Sequence, residues 1–334
     1  MERIRYKEGY KSNLSTKENE IAIKEIRRFF ENNLAKELNL TRVTAPLFVL
    51  SKTGINDDLN GNDIPVNFKS QGISRTIEIV HSLAKWKRLN ISKYGFEMHE
   101  GLYTNMNAIR KDEVRDNYHS IYVDQWDYEF IISEEDRNLN FLKSVVQKIY
   151  KVILKTRDFT AKTFQISVNL PQNITFLTSQ ELLNMYPNLT PEERVNEAIK
   201  ECGALFVAQI GYPLSDGNPH DRRAPDYDDW NLNGDIFLYN EVLDDAIEIS
   251  SMGIRVNKES LLEQTKFSKK DENLTYYYQQ QIIRDKLPLT LGGGIGQSRL
   301  CLLLLKKLHI GEVQSSIWET ETYDFFNSKG INLL

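Results

Sequence analysis

Residues 119–129 read His119-Ser120-Ile121-Tyr122-Val123-Asp124-Gln125-Trp126-Asp127-Tyr128-Glu129. Side chains of an extended strand alternate between faces, so Ile121, Val123, Gln125, Asp127 and Glu129 share one face. Tyr122, Trp126 and Tyr128 share the other, which suits packing against a core. Three polar residues in succession on the first face do not suit a core. They suit a wall that meets a ligand, or a strand end that emerges into solvent. A second extended segment, residues 98–109, precedes this one and is joined to it by the charged turn 110–117. That turn opens Arg110-Lys111-Asp112-Glu113. A basic residue at a strand end suits a phosphate, although a solvated charged turn is the commoner meaning of such a run.

Upstream, Ala22, Ile26, Phe29, Phe30, Leu34 and Leu38 recur at helical spacing, with Ser15 or Thr16 as a cap. Residues 42–50 are extended and carry Pro46, which cannot donate to a ladder and belongs at an edge or interface. Segments 64–68 and 75–80 read as a hairpin around Gly72, and Ser82 as the cap of a helix reaching about residue 93. Downstream, Leu139, Leu142, Val145, Val146, Ile149 and Ile153 mark a second amphipathic helix. Residues 178–201 read as helical and 204–210 as a short buried strand. The polar stretch 211–231 is long for a connection, which points to a functional loop. Strands at 234–239 and 243–256, two helices, a strand at 289–295 and a helix from Gln297 complete the chain. Strands follow strands without regular helical crossovers, so the fold class is α+β with an antiparallel sheet flanked by helices.

The glycine-rich run Gly292-Gly293-Gly294-Ile295-Gly296-Gln297-Ser298-Arg299 stands late in the chain. A dinucleotide-binding reading fails on that context. Its glycines let a backbone approach a ligand, and Arg299 could reach a nucleotide; a glycine-rich turn with a surface arginine is the equal alternative.

Bulk properties narrow the function. The 334 residues are 40% hydrophobic and 27% charged, with a net charge of −5. That balance argues against a protein whose main work is gripping nucleic acid. Cys202 and Cys301 belong to no C-x-x-C pair and read as reduced thiols. The N-terminus is polar and the apolar run 300–305 is far short of a membrane span, so the expectation is a cytoplasmic protein. No linker or repeat divides it, and residues 1–334 read as one catalytic domain.

These pieces stand in the order of the three motifs of class II aminoacyl-tRNA synthetases, whose catalytic core the chain resembles. Within that class it is most similar to the aspartate and asparagine enzymes. His81-Ser82-Leu83-Ala84-Lys85-Trp86-Lys87 resembles their Q-S-P-Q-x-x-K, Gln125-Trp126-Asp127 their Q-x-D, and Glu248 through Arg255 their E-L-x-x-G-x-x-R. The first-motif helix begins near residue 17, which leaves no room for an anticodon-binding barrel before it. A closer resemblance is to the ammonia-dependent asparagine synthetases. It rests on residues 81–88, 100–104, 122–127, 223–230, 232–235, 250–255 and 292–300, and covers nearly the whole chain.

The resemblance implies an ATP- and magnesium-dependent enzyme that adenylates L-aspartate on its side chain and lets ammonia displace AMP. It implies Arg110 at the α-phosphate and the activated carboxylate, Lys87 at the aspartate side chain, and Arg299 at the ATP. It implies Asp57, Ser82, Gln125, Asp127 and Ser251 in the amino-acid pocket, with Asp58 the alternative to Asp57. Asp235 and Glu248 would bind magnesium or ribose; Arg255, Gly292 and Gly294 belong to the ATP side. Asp228 reads as a substrate-facing carboxylate that could hold ammonium. His81 is either packing or substrate contact, and Lys85 and Arg88 are expected to be solvated. Free ammonia is the expected nitrogen donor, because residue 2 is Glu2 and neither cysteine lies in a nucleophile motif. The resemblance also implies a homodimer, with no nucleic-acid or membrane partner. Two other readings share the fold: a ligase with another acceptor, which the acidity disfavours, and a non-catalytic regulator, which the presence of Arg110, Arg299, Asp235 and Glu248 disfavours.

Overall fold

Ser15 and Glu18 start the first helix. The Ser15 hydroxyl accepts from the Glu18 N–H, and the Glu18 carboxylate accepts from the Ser15 N–H, which satisfies two donors that a helix leaves open. The computed structural model describes residues 4–57, 59 and 63–334. Helix α1 (Thr16–Leu38) buries Ala22, Ile26, Phe30, Leu34 and Leu38, the stripe its periodicity picks out; Phe29 lies at the margin, stacked on Phe159. There follow β1 (Leu40–Arg42), β2 (Phe48–Leu50), β3 (Asn67–Phe68), β4 (Ile77–Ile79), α2 (Ala84–Ile91), β5 (Gly101–Ile109), β6 (Tyr122–Ile131) and α3 (Leu139–Phe164). The second half holds β7 (Thr175–Thr178), α4 (Ser179–Met185), α5 (Pro191–Cys202), β8 (Ala204–Ala208), β9 (Asp228–Asn240) and β10 (Asp245–Arg255). It closes with α6 (Lys258–Phe267), α7 (Tyr277–Ile283), β11 (Thr290–Gly296), α8 (Gln297–Leu304) and α9 (Thr320–Ser328).

Eight strands form one sheet in the order β1-β5-β6-β11-β10-β9-β8-β7. Its centre is antiparallel, but β1–β5 and β7–β8 are parallel. The expected antiparallel sheet is therefore mixed at both margins. A parallel pair needs a long crossover; helices α4 and α5 supply it between β7 and β8, and residues 43–100 supply it between β1 and β5. Strands β2, β4 and β3 make a separate small sheet. The expected 64–80 hairpin is its β3–β4 pair, and the expected 42–50 strand is split between the two sheets at Pro46.

The two faces of β6 separate from Gln125 onward as its alternation requires; at the strand's start Tyr122, expected to pack, is half-buried at the cleft lining, and Asp124 beside it is held by Arg27 and Ser298. Trp126 and Tyr128 are fully buried in the main core with α1, α3 and α8, and the Trp126 ring lies 4.5 Å from that of Phe30. Gln125 and Asp127 stand on the opposite face, at the cleft. Helix α2 covers part of that face and is buried on most of its sides. The expectation that Lys85 and Arg88 are solvated is overturned: Lys85 Nζ pairs with Asp226 at 2.7 Å, and Arg88 donates to the carbonyls of Val256 and Pro288 at 2.6 and 3.2 Å. Nor does Ser82 directly precede the helix. Leu83 does, and the Ser82 hydroxyl accepts from the Ala84 N–H at 3.1 Å. No helix among the described residues is long and apolar enough to cross a membrane.

Candidate active site

The register of β6 against β11 builds the floor of a cleft of about 520 Å³. Gly292 lies opposite Glu129, Gly294 opposite Asp127 and Gly296 opposite Gln125. A Cβ at Gly292 would meet Glu129 Oε2 at 2.0 Å, and one at Gly294 would meet Gln125 Oε1 at 2.4 Å. The polar side chains of β6 therefore lie across β11 and occupy the space that side chains there would need. Gly294 reaches the cleft wall and Gly292 lies behind it, and at both positions a side chain would displace its neighbours. Gly292→Ala is expected to lower the thermal midpoint by several degrees, because Glu129 and Arg255 cannot both stay in place. An unchanged midpoint in differential scanning calorimetry would remove that account.

Of the residues singled out in the sequence, Asp57, Ser82, Lys87, Arg110, Gln125, Asp127, Asp228, Glu248, Ser251, Arg255, Gly294 and Arg299 line this cleft. Asp235 and Gly292 stand behind the lining. Asp58 lies outside the described residues. His81 is buried and does not line the cleft; its Nδ1–H donates to the Asp57 carbonyl at 2.9 Å, while its own carbonyl accepts from Arg110 Nη2 at 3.4 Å. It ties the Asp57 segment to Arg110.

Lys87 is fully buried. Its ammonium donates to the carbonyls of Tyr128 and Gly293 at 2.9 and 3.0 Å and lies 3.1 Å from Asp127 Oδ1. Three donors thus face three acceptors. The sequence reading treats this residue as a point charge on a mobile stem; the structure holds it as a fixed charge whose amine is pushed below its ordinary pKa by burial, with Asp127 opposing. Asp127 Oδ2 in turn accepts from the Leu83 N–H at 3.3 Å, so the start of α2 and the floor of the cleft are locked together.

Beneath the floor, Glu129 accepts from Arg255 Nε and Nη2 at 3.0 and 2.7 Å and from the Thr290 hydroxyl at 2.7 Å. Arg255 Nη1 also pairs with Asp228. Burial pushes the Glu129 carboxyl up, but Arg255 and Lys87 outweigh it and hold it below the ordinary carboxylate range. For Asp228, burial wins over Arg255 and its pKa is raised. Two carboxylates on one guanidinium thus lie on opposite sides of their ordinary value.

A second cluster of charge lies at the other end of the cleft. Arg299 Nη1 donates to the Glu248 carbonyl at 3.0 Å and lies 3.6 Å from its carboxylate. Burial would raise Glu248, yet Arg299, Arg223, His119 and Arg110 together hold it low. Arg223 pairs with Asp235 and donates to the Ser251 hydroxyl at 3.3 Å. Burial, with nearby Glu248, pushes Asp235 up to about 7 against the pull of Arg223. Among the described residues Arg110 is the least engaged of these cations: the 3.4 Å contact to His81 is long, and its Nε has no hydrogen-bond partner there.

Sequence reasoning passed over Arg223 and Glu129 as individuals. Both were within reach: Arg223 opens the string 223–230 in the long polar loop, and Glu129 ends the polar face of residues 119–129. Cys202 and Cys301 are free thiols, as expected.

Sheet order, helix placement and this charged cleft define the class: a synthetase-like fold of the class II type. Asparaginyl-tRNA synthetase of Entamoeba histolytica, solved with asparaginyl-adenylate, superposes with a TM-score of 0.63 over 90% of this chain and 66% of that chain, at 18% identity. That of Pyrococcus horikoshii, also solved with asparaginyl-adenylate, gives 0.57 over 89% and 68%, at 15% identity. At such identities the likeness is one of fold, and the chain spans about two thirds of those synthetases. The aspartate-ammonia ligase family model matches residues 17–330. Aspartate–ammonia ligase of Clostridium perfringens is 53% identical over 336 residues, covering the whole of both chains. That of Lactiplantibacillus plantarum is 55% identical over 311 residues, 92% of this chain and 97% of its own. The chain belongs to the aspartate–ammonia ligase family, and is an enzyme of the ligase type.

Proposed function

We propose that this protein makes L-asparagine from L-aspartate and ammonia, driven by ATP through a β-aspartyl-AMP intermediate with release of AMP and pyrophosphate. Beyond the family match, the observation that carries this reading is the gathering of two charged groups in one cleft: Gln125 and Asp127 on the floor of β6 with Lys87 of α2, and Arg110, Arg223 and Arg299 as the second group. A carboxylate can be seated at the first and a triphosphate at the second.

In the first step a side-chain carboxylate oxygen of aspartate attacks the α-phosphorus, and the bond to the pyrophosphate oxygen breaks with its electron pair leaving on pyrophosphate. Arg110 offers its fork to the α-phosphate and the incoming carboxylate, which are otherwise like charges brought together. Gln125 and Asp127 hold the amino acid, with Lys87 fixed behind Asp127 and setting the charge of the floor rather than offering a free donor, and Asp57 receives its α-ammonium. Arg299 serves the ATP side; Arg255, engaged by Glu129 and Asp228, acts by fixing Asp228 rather than by free contact. In the second step the ammonia nitrogen attacks the acyl carbon and AMP leaves. Two protons are shed on the way from ammonium to amide, one before the attack and one from the adduct; one can leave on the phosphate of AMP or to solvent, and Asp228, raised by burial and on the cleft wall, suits the other.

Asp235 and Glu248 fit magnesium. Asp235 Oδ1 is buried and makes no hydrogen bond among the described residues, and magnesium takes one or two carboxylates with substrate phosphates rather than an all-protein cage. Bound there it would neutralise phosphate charge. A ligand carboxyl must be ionised, and Asp235 sits near 7. Magnesium affinity in the presence of a non-hydrolysable ATP analogue is therefore expected to rise about tenfold from about pH 6 to pH 8, measured by calorimetry, and to lose that slope in Asp235→Asn. The folded-state pKa is raised, so the stability the protonated group contributes is lost as pH climbs from the ordinary 3.8 through about 7. Asp235→Asn should thus gain on the wild type in stability at alkaline pH.

We also infer one catalytic unit per chain and a cytoplasmic homodimer that needs no nucleic acid. Leu47, Phe48, Ile64 and Phe68 on and beside the small sheet are exposed apolar side chains, which suits an isologous contact between two copies. Sedimentation at a single-chain mass would remove the dimer. The function is tested with L-aspartate, magnesium–ATP and an ammonium salt, without RNA. Asparagine and AMP in equal amounts are expected. ADP in place of AMP would overturn the adenylate, and AMP without asparagine would point to another acceptor.

A further inference from the structure

The wall of the cleft at residues 118–120 is tied from outside by a segment that the reaction does not touch. Arg5 docks there through both backbone and side chain. Its N–H donates to Asn117 Oδ1 at 2.7 Å, and its carbonyl accepts from Asn117 Nδ2 at 3.0 Å. Its guanidinium pairs with Asp245 at 2.5 Å and lies 5.8 Å from the centre of the Tyr118 ring. The same Asp245 carboxylate accepts from the Tyr118 hydroxyl.

Asn117 passes the hold onward. It is buried, its Nδ2 also donates to the Leu308 carbonyl at 2.8 Å, and its own carbonyl accepts from the Ile310 N–H at 2.8 Å. Tyr118, His119 and Ile310 line the cleft, and the Tyr118 carbonyl faces Arg299 Nε at 3.5 Å. The rest of the segment runs along the same wall: the Tyr10 hydroxyl donates to Glu312 at 3.0 Å, and Lys307 Nζ donates to the Ser12 hydroxyl at 2.6 Å. Segment 4–12 therefore joins, from one side, the two stretches of chain that flank Arg299.

We propose that residues 4–12 act as a strap that sets the nucleotide end of the cleft, with Arg5 as its positioning residue. The proposal rests on the reading that Arg299 meets ATP. A wall fixed before ATP arrives need not be ordered by it, so the strap acts on ATP binding and leaves the aspartate end alone.

The test compares wild type, Arg5→Met and Arg5→Lys as full chains. Arg5 is half-exposed, so both variants are expected to fold. Arg5→Met should raise KM for ATP about fivefold, the scale of a partly exposed ion pair, with kcat and KM for aspartate unchanged. Arg5→Lys, which keeps the charge beside Asp245, should restore most of it. Amide hydrogen exchange at residues 116–120 should quicken in Arg5→Met and return in Arg5→Lys. An unchanged KM for ATP, or equal changes for both substrates, would overturn the proposal. If the wild type shows no ATP turnover, the functional reading fails instead; exchange still decides the strap, and unaltered exchange in Arg5→Met would end it.

Discussion

Replacing Arg255 by Met is expected to cost about 3–5 kcal/mol of folding stability, measured by urea unfolding at neutral pH. Arg255 is buried between two carboxylates that are also buried, Glu129 and Asp228. Its removal leaves Glu129 with Thr290 and a Lys87 ammonium 4.0 Å away, and leaves Asp228 without its guanidinium. The desolvation of two charges then stands uncompensated, which outweighs the apolar area that Met brings. Arg255→Lys should recover little. The wild-type guanidinium uses Nε and Nη2 on Glu129 and Nη1 on Asp228, and a point charge cannot reach both. The penalty should shrink in acid, because each stranded carboxyl can take up a proton. A double variant with Glu129→Met should fall short of the sum of the singles. A loss below about 1 kcal/mol in Arg255→Met would mean the network contributes no more than a surface ion pair.

Arg110→Ala is expected to do the opposite, lowering kcat by about 10³-fold while leaving stability within about 0.5 kcal/mol of wild type. Arg110 stands at the end of β5, where its backbone N–H donates to the Ile121 carbonyl at 2.9 Å, a bond that Ala keeps. Among the described residues its side chain has a long contact to His81 and an Nε without a hydrogen-bond partner. A cation so lightly held contributes little to the fold and is available to a ligand. Arg110→Lys should recover only part of the rate, since one ammonium cannot bridge a phosphate and a carboxylate side by side. Steady-state kinetics beside a thermal melt separates the two effects. A retained kcat would take Arg110 out of the chemistry, and a large fall in the melting point would make it structural.

The pair shows that residues alike in the sequence part ways in the fold. Both arginines follow from the resemblance, which puts both on the ATP side. Arg110 sits on a turn between paired strands, where a charge is local and open. Arg255 ends β10 beside a register shift against β9 that brings it opposite Asp228, and Glu129 reaches it from across the glycines of β11. That convergence joins residues far apart in the chain, and no local pattern reports it.

What the sequence determined by itself was what short-range physics controls. The start of α1 at Ser15 or Thr16, its buried stripe and the alternation of Gln125 to Glu129 along β6 were readable, because each depends on neighbours a few residues away; the sheet order, with its parallel margins, was not. The motif strings also placed most of the cleft lining. Tertiary structure alone decided which charges are spent. Lys87 is held by Asp127 and two carbonyls, Lys85 by Asp226, and one oxygen of Asp235 by Arg223, with Asp226 standing 141 residues from Lys85. It also decided why Gly292 and Gly294 are glycines: side chains from the next strand fill their space. Burial and long-range pairing set the energy of an ionic group, and both are properties of the packed chain rather than of any stretch of it.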